Sequence, residues 1–156
     1  LDPAESYQYF RIMNFATNLE NVGDIIDKSL MEMTRKKIKD QKFFSKAGWK
    51  DIQKIHDYVV DNMKKSQSVF VNDDSKLARQ LVEGKEVMRD YEVEATNAHL
   101  ERIREGVAET IATSSLHLDI IRDYRRINGY MATVAYPILA ESGELRSSRL
   151  KPIDID

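Results

Sequence analysis

Cysteine is absent from the 156 residues, which removes disulfide frameworks, thiolate nucleophiles and Cys-ligated zinc at once. That absence fits a reducing compartment. Proline and glycine are scarce, at three and six residues, so the chain carries few of the breakers that punctuate turns. No run of about eighteen apolar residues occurs, so no segment reads as a membrane-spanning helix. The chain opens Leu-Asp-Pro rather than with Met, a basic cluster and an apolar run, so no secretory signal is visible. The missing Met suggests a piece of a longer chain. A net charge of −2 gives no general basic footprint, which argues against nucleic acid as a partner.

What is present points to helices. Charged residues make up 32% of the chain and hydrophobic ones 42%, the balance of a single soluble domain long enough for a sizeable core. Asp2, Pro3 and Glu5 form a helix start, with Asp2 as cap, proline at the first helical position and Glu5 closing a capping box. Ile12, Phe15, Leu19, Val22, Ile26, Leu30 and Met33 then recur at spacings of three and four, which predicts one apolar stripe on a first helix of roughly 35 residues. Ser45 caps a second helix with Trp49, Ile52, Ile55, Val59 and Met63 on its inner face. A third helix is expected over 76–105, ended by Gly106, and a fourth over 108–140 with Ile120, Tyr124, Ile127, Met131, Val134 and Ile138 inside. Pro137 should bend that last helix or end it early.

The fold class expected is therefore all-α: four long antiparallel helices in an up-down-up-down bundle over residues 1–145, with a loose tail over 146–156. Breaks are predicted near Lys42, at 72–74 and at Gly106. Counting from the helix ends places Leu19, Val22 and Ile26 level with Ile120, Tyr124 and Ile127 on the fourth helix.

The polar residues offer few chemical constellations. None of the three histidines follows a Glu at the third position before it, which excludes a ferritin-like di-iron centre. There is no Walker loop, no G-x-S-x-G and no Cys nucleophile, so nothing marks an enzyme. His56 and His99 read as surface or partly buried helix residues. Asp119 and Asp123 flank the stripe of the fourth helix and read as ion-pair partners of Arg122, Arg126 or a neighbouring helix. The cations Arg35, Lys36, Lys37, Lys39 and Lys42 suit the negative end of the first helix. Below a membrane the same cluster could approach anionic headgroups.

Glu20 and Asp24 pose a sharper question. They stand one turn apart with Gly23 beside them, although like charges at that spacing repel and a mid-helix glycine costs about 1 kcal/mol. The helical wheel puts both on the outer face, with Asp27 nearby. A solvated acidic face explains them; so does a hard-cation site in which clustered carboxylates supply oxygen ligands.

The stretch NLENVGDIID, with Leu19, Glu20, Gly23 and Asp24, resembles the L-E-R-I-G-D signature of PhoU domains. FFSKAGWKDIQKIHDYV, AHLERIREG and TSSLHLDIIRDYRRINGYMATVAYPIL resemble the C-terminal domain of bacterial Na/Pi-cotransporter family proteins. The resemblance implies a PhoU-like bundle appended to a sodium-dependent phosphate transporter, on the cytoplasmic face of the inner membrane. Its implied partner is the membrane domain of the same polypeptide, with a homo-oligomer as a further expectation. PhoU domains hold iron or zinc clusters on E/D-x-x-x-D motifs. On that analogy the metal ligands are Glu20 and Asp24, helped by Asp27. In the fourth helix Arg125 and Gly129 occupy the positions of the second motif, which opposes a multinuclear cluster. The alternatives are a free-standing metal-binding regulator of phosphate uptake, acting on a transporter or histidine kinase, and a purely structural oligomerisation bundle.

Overall fold

The computed structural model describes residues 2–145; the tail expected over 146–156 lies outside them. Every described segment of length is helical. α1 spans Pro3–Ile25 and runs through a π-helical turn, Ile26–Leu30, into α2, Met31–Lys39. α3 is Lys46–Asn72, α4 is Ser75–Arg104, α5 is the single turn Ala108–Ala112, α6 is Ser114–Ala132 and α7 is Ala135–Glu141.

Local chemistry sets these boundaries. The Asp2 carboxylate accepts from the Glu5 amide at 2.8 Å, and the Glu5 carboxylate accepts from the Asp2 amide at 3.0 Å, completing the capping box. Ser45 and Asp74 cap α3 and α4 by accepting from Gly48 and Leu77. Asp73 turns the chain between them at φ +52°, a left-handed conformation that aspartate tolerates better than most residues. Gly106, at φ +76°, ends α4 as predicted. Pro137 lies in the first turn of α7 rather than a last turn. It has no N–H to give to Thr133, and the helix is interrupted at residues 133–134.

α3, α4 and α6 pack on one another, α7 folds onto α4, and α1 lies along α6. Two apolar clusters run down the bundle. One joins Val22, Ile25, Ile55, Val59, Met88, Ile121, Ile127 and Met131; the other joins Val69, Leu81, Ala135, Ile138 and Leu139. Near their junction Asn62 donates to Asn128 at 2.8 Å and Ser66 donates to the Met131 carbonyl at 2.9 Å. Gly84 admits Tyr58, whose hydroxyl donates to the Gly84 carbonyl at 3.0 Å. A Cβ there would stand 2.6 Å from that hydroxyl.

The first helix departs from its predicted face. Val22 is buried as expected, but Ile12 is 54% exposed and Leu19 and Ile26 are exposed too, whereas Arg11 and Ile25, both off the predicted stripe, are buried. The stripe is rotated because the inner face is partly polar. Asn18 donates to Thr133 at 2.7 Å and Ser29 to Asp123 at 2.5 Å, while Arg11 pairs with Asp73. The π turn adds to the shift, since one turn of wider helix carries later residues around the axis. The two hydrogen bonds also fix the register. Val22 falls opposite residues 129–130, roughly five residues or about 8 Å from the predicted level. Counting from the ends failed because it assumed one unbroken helix over 108–140, whereas the chain is interrupted at Thr113 and at 133–134 and α7 packs chiefly on α4.

Candidate functional site

Glu20, Asp24 and Asp27 all lie on the exposed outer side of α1 and the π turn. Asp24 forms an ion pair with Lys28 at 2.9 Å, which holds the Lys28 ammonium above its usual range. The i,i+4 lysine thus relieves the repulsion within the acidic pair. Gly23 is not demanded by packing, because a Cβ at that position would meet nothing within 4 Å. Among the described residues no group of three His, Asp or Glu stands close enough to hold a metal. The face therefore does not fit a multinuclear cluster held by this chain alone. On α6, Arg125 pairs with Glu92 of α4 at 3.0 Å, so the guanidinium is engaged with its own bundle.

Asp119 and Asp123 behave as ion-pair partners. Arg122 reaches Asp119 at 3.0 Å, and Arg126 reaches Asp123 at 3.3 Å. Asp123 is fully buried and also accepts from Ser29, so it ties the π turn to α6. A π turn inside an α-helix often sits where a helix is used rather than merely packed. Here it brings Leu30 to the edge of a groove of about 510 Å³ between α2, α3 and α6. Met33, Trp49, Ile52, Ile120 and Tyr124 give the groove apolar walls; Lys37, His56 and Asp57 add charge or polarity.

A second polar centre escaped the sequence reading. His99 and His117, expected near the surface or left unplaced, are 0% and 1% exposed. Their rings stack with centroids 4.8 Å apart. His117 Nε2 donates to the Gly48 carbonyl at 3.2 Å, and His99 Nε2 lies 2.8 Å from the Ser114 hydroxyl. Arg102 and Asp51 pair beside them at 2.8 Å. Burial, and for His117 the neighbouring ring, push both imidazoles below their ordinary pKa, His117 to about 4. Both are neutral at pH 7. One signal was available: His99 continues the buried α4 series of Leu81, Gly84, Met88 and Ala95 at helical spacing.

The PhoU domain family matches residues 52–138, more than half of the chain and nearly the whole α3–α7 core. The chain belongs to the PhoU family. Similar proteins include the "Putative inorganic phosphate export protein YjbB" of Salmonella typhimurium, 32% identical over 137 residues, and that of Escherichia coli K12, 31% identical over 140 residues. These alignments cover 88% and 90% of this chain but 25% and 26% of the relatives. The chain thus spans about a quarter of the length of the curated relatives it matches. No solved structure gives a significant match. The PhoU match starts within α3, so α1, α2 and the acidic motif of Glu20 and Asp24 lie before it.

Proposed function

We propose that this PhoU-family chain is a regulatory domain of an inorganic phosphate transport system, acting through helix-face contacts and without enzymatic activity of its own. The observation that carries this is the alignment itself. The chain matches phosphate export proteins along 88–90% of its length while occupying only a quarter of theirs. In those relatives this bundle is one part of a larger polypeptide. The finer reading places the bundle on the cytoplasmic side of a sodium-dependent phosphate transporter, in contact with the membrane domain of the same polypeptide. A free-standing regulator of the same family fits the PhoU match equally well. The full open reading frame separates the two.

For the acidic face we propose at most one weak cation site, with Glu20 and Asp24 as ligands and Asp27 beside them. The test of function is phosphate flux in cells whose copy of this segment is deleted. The reading predicts altered uptake or efflux with the remaining transporter still present in the membrane. Unchanged flux under both phosphate-poor and phosphate-rich growth would overturn it.

A further inference from the structure

The corner where α2 turns into α3 combines charge and apolar exposure as no other described part of the chain does. Residues 35–50 hold seven cations and one acid, Asp40, within a chain that is net acidic. Complementation of the helix dipole explains Lys36, Lys37 and Lys39 at the end of α2. It cannot explain Lys46 and Lys50, which stand in and just after the first turn of α3, where the dipole disfavours a cation and no acidic residue is present to offset it. Lys36, Lys39, Lys46 and Lys50 have no ion-pair partner among the described residues. Between these cations Ile38 is 68% exposed, Phe43 69% and Trp49 49%. Lys37 lies over the Phe43 and Phe44 rings at 5.3 and 5.6 Å, so aliphatic stem and ring together form one amphipathic surface.

We propose that this corner docks on an anionic membrane surface, with Phe43, Ile38 and Trp49 entering the headgroup boundary and the surrounding lysines meeting lipid phosphates. The argument is charge complementarity joined to exposed apolar and aromatic side chains, the combination that holds a protein in the interface plane. The same end of the bundle carries Glu105 and Glu109 around the α4–α5 connection, where Glu101 is paired with Arg104. Those acids restrict contact to the α2–α3 side and so orient the bundle on the surface. The inference does not depend on the phosphate-transport reading, because it uses only this corner.

Trp49 is the chain's single tryptophan, so its emission reports the contact directly. The 156-residue chain is mixed with phosphatidylcholine vesicles or with vesicles carrying 30% phosphatidylglycerol, and both sedimentation and Trp49 emission are read at low and high salt. Co-sedimentation and a blue shift are expected with the anionic vesicles only, weakening as salt screens the lysines. Lys39→Gln combined with Lys46→Gln should weaken binding about thirtyfold, at about 1 kcal/mol per cation near a charged surface. Phe43→Ser should weaken it further and abolish the blue shift. These side chains are exposed, and an unchanged circular dichroism melt confirms that each variant folds. No binding to anionic vesicles, equal binding to neutral ones, or variants that bind like the parent would each overturn the proposal. A Trp49 shift with polyglutamate but not with anionic vesicles would also overturn it, in favour of an acidic protein partner.

Discussion

α1 and the α3–α4–α6 core each bury one face, by different means. The core helices meet through Ile55, Val59, Leu81, Met88, Ile121, Ile127 and Met131, all nearly inaccessible to water. Inside that apolar frame Asn62 donates to Asn128, and the stacked histidine pair uses its Nε2 atoms while both Nδ1 atoms are buried without a hydrogen-bond partner among the described residues. α1 instead reaches α6 through Asn18, Ser29 and two apolar residues, Val22 and Ile25, and leaves Tyr9, Phe10, Ile12 and Met13 outside. Apolar burial supplies stability roughly in proportion to area. Hydrogen bonds between named partners supply less net energy but fix one register. The core is therefore the stable unit, and α1 is a helix held in a specified place at lower cost to remove.

The largest effect should come from the core. Leu81→Ala is expected to cost about 3 kcal/mol, as buried leucine truncations do, while Ile12→Ala should stay within about 0.5 kcal/mol. Urea unfolding of the two variants measures this directly, and equal losses would break the comparison.

Acid should strike the core next. His117 titrates at about 4 when folded against about 6.5 unfolded, so the unfolded chain binds more protons between those values. Stability is thus full above pH 6.5 and is lost as pH falls toward 4, by up to roughly 3 kcal/mol from this one group. His99 shifts in the same direction. Melts between pH 7.5 and 4.5 should show the decline, and His117→Gln should flatten it.

Asp123 lies at the boundary of the two regions. Asp123→Ala removes the acceptor of Ser29 and Arg126 and is expected to cost about 2 kcal/mol, the usual range for a buried hydrogen-bonded charge. Limited proteolysis should then cut in α1 before it cuts in α3 or α4.

The smallest effect concerns Gly23. Gly23→Ala meets open space and should stabilise the chain by up to about 1 kcal/mol through helix propensity alone. Calorimetry with and without the substitution checks this. A loss of stability would contradict the open space around Gly23.

Legibility in the sequence followed the same division. The capping box, Ser45, Gly106 and the three- and four-residue spacings located the long helical stretches, because those signals are local, but not the breaks at Thr113 and at 133–134 that divide the expected fourth helix into α5, α6 and α7. The inner face of α3 was legible where aliphatic residues carried it, as Ile52, Ile55 and Val59 did, whereas Trp49, expected on the same face, is exposed. That face was misread in the first helix, where Arg11 turns inward to Asp73 and Asn18 and Ser29 turn toward Thr133 and Asp123, while Ile12 and Leu19 stay exposed. Polarity misleads when the buried partner is another polar side chain, since that partner lies about a hundred residues away in sequence. The π turn was illegible for a related reason, as it depends on Ser29 reaching Asp123. The acidic pair of Glu20 and Asp24 was visible at once, and its exposure was correctly placed by the wheel. Lys28, the cation that answers it, stood one turn further on in plain view.

Native-state hydrogen exchange tests the central claim most directly. The account predicts that amides of residues 18–30 exchange through a local opening of α1, at a free energy well below that of global unfolding. Amides around Ile55, Met88 and Ile121 should exchange only when the whole chain unfolds. Uniform protection across α1, α3, α4 and α6 would contradict it and make the four helices a single cooperative bundle.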